Sequence, residues 1–179
     1  MRSSRILASL ILASMLIIPF TAKAWTAGGL VKGSGPGVYY VTTSGKKLAF
    51  PDEYVYFSWY PDFSNIQKIS DTALAKMPLA GYATMRPGAA LVKAATSAQV
   101  FVIARGQTLR WVKSELIAQT LYGDDWNQKI IILPLAEIQN YRVGEDLTVA
   151  NQFSIQTEQA ASPNLNSELK LRALAGVTR

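Results

Sequence analysis

The chain has 179 residues, with 18 Lys and Arg against 12 Asp and Glu, and it contains neither cysteine nor histidine. Without thiols there is no disulfide and no thiolate catalysis. Without imidazole, the Ser-His-Asp and Cys-His hydrolase chemistries and the commonest zinc ligand are missing. The +6 charge is spread singly, apart from Lys46-Lys47 and a few residues near the end, so no basic run interleaved with aromatics points to nucleic acid.

Arg2 and Arg5 lead into an apolar run from Ile6 to Phe20, and Ala22-Lys23-Ala24 offers the small residues that signal peptidase reads. The run falls short of the roughly 20 residues a membrane-spanning helix needs. This predicts a signal peptide over 1–24, a mature chain from Trp25, a secreted or cell-surface destination, and no stable membrane insertion after cleavage. Absence of cysteine excludes a lipid anchor on a cleavage-site thiol. Removing Arg2, Arg5 and Lys23 takes three of the 18 basic residues and none of the 12 acidic ones, which leaves +3.

Leu30-Val31-Lys32, flanked by Gly28-Gly29 and by Gly33-Ser34-Gly35-Pro36-Gly37, reads as a strand entering a tight turn. Val38 to Thr43 is β-branched and aromatic, a second strand. Ser44-Gly45 turns the chain, and Lys47 to Phe50 returns antiparallel with Leu48 and Phe50 on one face. Asp52 is placed to cap a helix running through Tyr60 and ended by Pro61. An acidic turn at Asp62-Phe63-Ser64-Asn65, a strand at Ile66 to Ile69 and a small helix near Asp71, capped by Ser70 or Asp71, follow. Arg86-Pro87-Gly88 reads as a seam.

The same text then returns. Leu91-Val92-Lys93 repeats Leu30-Val31-Lys32, and Val100-Phe101-Val102-Ile103 repeats Val38-Tyr39-Tyr40-Val41. Gly106, Leu109 and Trp111 repeat Gly45, Leu48 and Phe50, and Asp125-Trp126 repeats Asp62-Phe63. Ser114 caps the second helix, Glu115 to Tyr122, which Gly123 closes. Leu74, Met77 and Leu79 match Ile138, Tyr141 and Val143. Offsets drifting from 61 to 64 residues, as small loop indels would produce, with shared apolar positions and turn glycines, signal a copied structural unit. The expected fold is α+β: two tandem β-β-β-α-β-α units of about 60 residues, near 30–86 and 87–149, packed into one globule. Residues 150–179 turn polar around Pro163 and read as a C-terminal tail, with two marginal helical turns from Glu168 to Ala175.

The stretch from Leu30 to Glu145, above all Phe50-Pro51-Asp52-Glu53 and Phe57-Ser58-Trp59-Tyr60-Pro61-Asp62-Phe63-Ser64, resembles an uncharacterised duplicated module of secreted and surface-attached bacterial proteins associated with small-genome, candidate-phylum lineages. The resemblance implies an exported, non-catalytic role and brings no catalytic residues with it.

Asp62 and Asp125 stand at matched positions and could form a two-carboxylate hydrolytic pair, but Asp before an aromatic after a helix commonly closes a turn. Ser34 with Lys32 and Ser114 with Lys113 supply the types of a Ser-Lys dyad without its spacing. Gly33 to Gly37 precedes a strand, so no helix N-terminus stands ready for phosphate. Asp124, Asp125 and Asn127 match no calcium-loop spacing. No metal and no cofactor is expected. The fuller signal is aromatic: Tyr54, Tyr56, Phe57, Trp59, Tyr60 and Phe63 crowd one short helix and its exit. A helix buries one stripe against one core, so some rings should face solvent. Tyr56, Trp59 and Tyr60 are the expected ligand-binding residues, for a cell-surface glycan or an envelope protein. Phe50 and Trp111 are expected to be nearly fully buried, and Phe63 and Trp126 to pack beneath the helix they follow as anchors of the acidic turn.

Overall fold

The computed structural model describes residues 25–177, so the predicted signal peptide lies outside the described residues. The first unit comprises β1 (Leu30–Lys32), β2 (Val38–Val41), β3 (Lys47–Ala49), α1 (Glu53–Trp59), β4 (Ile66–Lys68), α2 (Asp71–Ala75) and β5 (Leu79–Tyr82). The second comprises β6 (Leu91–Ala94), β7 (Phe101–Ala104), β8 (Thr108–Trp111), α3 (Glu115–Tyr122), β9 (Ile130–Leu133), α4 (Leu135–Ile138) and β10 (Arg142–Val143). Two further helices follow, α5 (Ile155–Ala161) and α6 (Leu165–Val177).

Three of the caps sit where their residue types suit them. Asp52 accepts from Val55 N–H, Ser70 from Ala73 N–H and Ser114 from Ile117 N–H, each satisfying one orphan donor of a first turn. Gly123 closes α3 at φ +90°, a conformation a Cβ would strain.

The fold is mixed α/β, built on two five-stranded sheets. The strand orders are β4-β1-β2-β3-β5 and β9-β6-β7-β8-β10. The pairing senses also correspond: β1–β2 and β6–β7 are antiparallel, as are β2–β3 and β7–β8. β1–β4, β6–β9, β3–β5 and β8–β10 are parallel. Each unit therefore carries a fifth strand that the β-β-β-α-β-α reading lacked. Its signal is weak because β10 has two residues and β5 is bent at Gly81, φ +134°, beside a register shift against β3.

The two units stack front to back. In a strand, successive side chains face opposite sides. Leu30, Tyr40 and Leu48 point with α1 into a central core, while Val31 and Val41 point away into a small outer core with Ile69 and Met77 at the two ends of the α2 segment. In the second sheet the matched residues swap roles. Leu91 and Val102 face outward with Ile117 and Ala118 of α3, and Val92 and Ile103 face the centre beside α4. The central core thus joins the α1 face of one sheet to the α4 face of the other. The hairpins differ too: Val41 pairs with Lys47, but Ala104 pairs with Thr108 across a shorter turn. That difference places Leu109 on the central face opposite Ile103, one step out of register with Leu48.

Among the described residues, 150–177 correct the tail expectation. Phe153, Leu165, Ser162, Glu158 and Glu168 are all buried. Glu158 accepts from Arg105 N–H at 2.7 Å, and Glu168 accepts from Gly106 and Gln107 N–H at 3.2 and 2.9 Å. Those two carboxylates hold the β7–β8 turn, where Gln107 takes φ +58°. A polar composition hid the segment's role because its polar groups serve as buried partners for backbone, not as a solvated surface.

Phe50 and Trp111 are less enclosed than expected, while Phe63 and Trp126 contact the helices they follow without being covered by them. Phe50 is half-buried against the central core. Trp111 is half-buried, its ring covered by Lys113 Nζ at 3.3 Å. Trp126 packs partly against the α3 core, and Phe63 is 55 % exposed.

Candidate functional site

The helix α1 divides its rings between two sides. Val55 and Tyr56 are buried, and Trp59 and Tyr60 are half-buried, packed on the central core. Tyr56 is 2 % exposed; its hydroxyl donates to the Asp62 carbonyl at 2.8 Å, and its ring meets Phe50, Phe57, Tyr60 and Phe63. Trp59 Nε1–H donates to the Thr84 carbonyl at 2.7 Å, beside the Arg86 guanidinium. Burial pushes the Tyr60 hydroxyl pKa up, with Tyr40 and Tyr56 adding to it. Of the three rings expected to bind, Tyr56 is enclosed, and Trp59 and Tyr60 are partly covered by the central core.

The exposed rings are Tyr54 (61 %), Phe57 (44 %) and Phe63 (55 %). Tyr54 and Phe57 are three apart on one helical face, and Phe57 meets Phe63 at 5.1 Å. Val55 is the sequence signal that could have sorted them. An aliphatic residue marks the inward stripe, and Trp59, four residues on, shares its side.

This surface borders two cavities. One, of about 430 Å³, is lined by Tyr54, Phe57, Ser58, Ala89 and Ile131 among others. The adjoining one, of about 590 Å³, runs from Tyr54 along Lys129 to Ile132. A third, of about 530 Å³, lies between Phe50, Asp52, Tyr56 and Phe63.

The sequence-level carboxylate candidates hold turns. Asp62 accepts from Ser64 N–H at 2.8 Å and from its hydroxyl, and these bonds lower the Asp62 pKa. Asp125 pairs with Lys129 at 2.7 Å, and that contact lowers its pKa. Neither is tuned to donate a proton near neutrality. Ser34 donates to Asp71, and Ser114 is the α3 cap, so neither hydroxyl is paired with a lysine as a nucleophile. Among the described residues no cluster of three metal-ligating side chains occurs, and no helix is long and apolar enough to cross a membrane.

Sequence reasoning missed one pair of carboxyls. Glu137 of α4 meets Asp52, the α1 cap, across the junction of the units; Tyr141, one turn on, accepts from Met85 N–H at 2.9 Å. Burial, then the charge and hydrogen bond of Asp52, raise Glu137 from 4.5 to about 7. Tyr141 feels both carboxyls and Glu168, all negative when ionised. The folded state thus favours protonated Glu137, and its stabilisation is full below pH 4.5 and lost as pH rises through about 7. Burial raises Glu168 in the same sense. The melting temperature is expected to fall between pH 4.5 and 7, with a shallower slope in Glu137→Gln. An unchanged slope in that variant would remove Glu137 as the cause. Asp62, Asp71 and Asp125, all lowered, act oppositely, losing their stabilisation only in stronger acid.

No protein-family model, curated protein or solved structure matches the chain.

Proposed function

We propose that this chain is an exported, non-catalytic module of the cell envelope or extracellular space that binds a glycan or a surface protein through exposed aromatic rings. The observation that carries the proposal is the continuous patch of Tyr54, Phe57 and Phe63, three large rings open to solvent beside apolar cavities. Rings in such a setting stack on sugar faces or fill a partner's recess, and apolar area left in water on one face marks an interaction site.

A carboxylate-dependent hydrolase of a wall polymer has less support. Asp62 and Asp125 are committed to turns. Asp52 and Glu137 share a hydrogen bond, closer than the ~5 Å or more between glycosidase carboxyls.

Calorimetric titration of the mature chain with solubilised wall glycan and with envelope protein fractions tests the reading. Phe57→Ala and Phe63→Ala are expected to weaken binding at least about tenfold, equivalent to ~1.4 kcal/mol. Undiminished binding by the double variant removes the aromatic patch as the site. Turnover of the glycan that Glu137→Gln abolishes would establish the hydrolase instead.

A further inference from the structure

Four strands lie at sheet edges: β4 and β5 in one sheet, β9 and β10 in the other. Proteins blunt such edges, because unpaired backbone N–H and C=O groups recruit foreign strands. Three of the four are blunted here. β4 carries exposed Gln67 and Lys68, β5 is bent at Gly81, and β10 has two residues. β9 is not. It reads Ile-Ile-Ile-Leu, four residues in unbroken parallel register with β6, without charge, proline or bulge. Among the described residues no backbone hydrogen bond joins its outer side to another segment.

A cavity lies beside β9. Ile130, Ile131 and Ile132 all line it, although consecutive side chains in a strand face opposite sides, so it is not confined to one face of the strand. Tyr54 and the Ala89-Ala90 entry to the paired strand β6 also line it, and through Tyr54 and Ile131 it joins the cavity under Phe57. Charge distinguishes the two joined cavities. Lys129, in the one beside β9, is neutralised by Asp125 at 2.7 Å. Glu53, in the first turn of α1, lines the one under Phe57 and has no ion pair among the described residues.

We infer that the β9 edge is a strand-addition site, and that the partner is an extended apolar peptide segment of another protein, with a basic residue placed against Glu53. The backbone edge specifies a strand, the rings of Tyr54 and Phe57 receive its alternate side chains, and the free carboxylate sets its charge. This deepens the binding-module reading, on which it rests, by naming the partner class.

The test uses the mature chain and a short synthetic peptide of alternating valine and threonine with an N-terminal lysine. Beside it stands the same peptide methylated on alternate backbone nitrogens. The unmethylated peptide is expected to bind and to slow amide exchange at Ile130–Leu133. The methylated one, which keeps every side chain but loses edge donors, is expected to bind at least about tenfold more weakly. Ile132→Lys, at an exposed position, places a charge on the edge and is expected to abolish binding with little change in melting temperature.

Equal binding of the two peptides, or none by the unmethylated peptide at millimolar concentration, overturns the strand-addition site. If Phe57→Ala still weakens glycan capture in that event, the broader binding reading stands without it. Sedimentation of the chain alone supplies the remaining arm: self-association that Ile132→Lys reverses would make the occupant a second copy and overturn the partner assigned here.

Discussion

Tyr56→Ala is expected to lower the unfolding free energy by about 3–5 kcal/mol, the range for removing a buried aromatic side chain. The ring is 2 % exposed and sits at the junction of α1, the chain leaving β3 and the turn after α1. It meets Phe50 at 5.1 Å and Phe63 at 4.8 Å, and the vacated space would be flanked by Phe50 and Tyr60 of the central core. Loss of the hydroxyl also frees the Asp62 carbonyl, which closes the acidic turn. Phe57→Ala, one residue along but 44 % exposed, is expected to cost much less, about 1 kcal/mol, because little of its area leaves water on folding. Urea unfolding of the two variants measures the contrast directly. Equal losses would mean that α1 does not present Phe57 to solvent, and the proposed binding patch would go with it.

Glu168→Ala is expected to cost about 3–5 kcal/mol, through unpaired donors and not through lost packing. Its carboxylate is fully buried and accepts from Gly106 N–H, Gln107 N–H and the Ser162 hydroxyl. Alanine would leave two backbone donors and one hydroxyl enclosed without partners. The turn it serves needs the restraint, since Gly106 and Gln107 both hold positive φ, at 71° and 58°. Glu168→Gln keeps one acceptor oxygen and should fall between wild type and Glu168→Ala. Thermal and chemical unfolding report the order. If Glu168→Ala were as stable as wild type, α6 would be an ornament on the second unit and the tail reading would return.

The local elements were legible wherever a short stretch carries its own instruction. The caps at Asp52 and Ser114, the turns at Gly45 and Gly106 and the apolar alternation of β1, β2, β6 and β7 each depend on neighbours a few residues away. The two segments that share the Leu-Val-Lys match, Leu30–Lys32 and Leu91–Lys93, lie in two sheets of the same strand order, which the sequence reading did not specify. The fifth strands were not legible, because a two-residue segment such as β10 becomes a strand only when β8 lies beside it to pair with.

The rings of α1 mark the boundary most clearly. Six aromatics in ten residues led to the expectation that some face solvent, since one helix face meets one core. Which ones do so depended on where the second unit sits. Front-to-back stacking puts α1 and α4 into a shared core, and that choice buries Tyr56, half-covers Trp59 and Tyr60, and leaves Tyr54, Phe57 and Phe63 in water. A symmetric face-to-face arrangement would have used the same repeated residues and enclosed different ones. The polar segment from Ala150 onward follows the same logic. Its composition gave no reason for burial, because Glu158 and Glu168 become core residues only once the Arg105–Gln107 turn presents backbone donors to them. By itself the sequence determined the caps, the turns, the repeated strand pattern and the absence of thiol and imidazole chemistry, all fixed by residue type and short spacing. Only the tertiary structure decided which face of each repeat is inward, which rings are open and which sheet edge is left unpaired, because burial and pairing belong to segments distant in the chain.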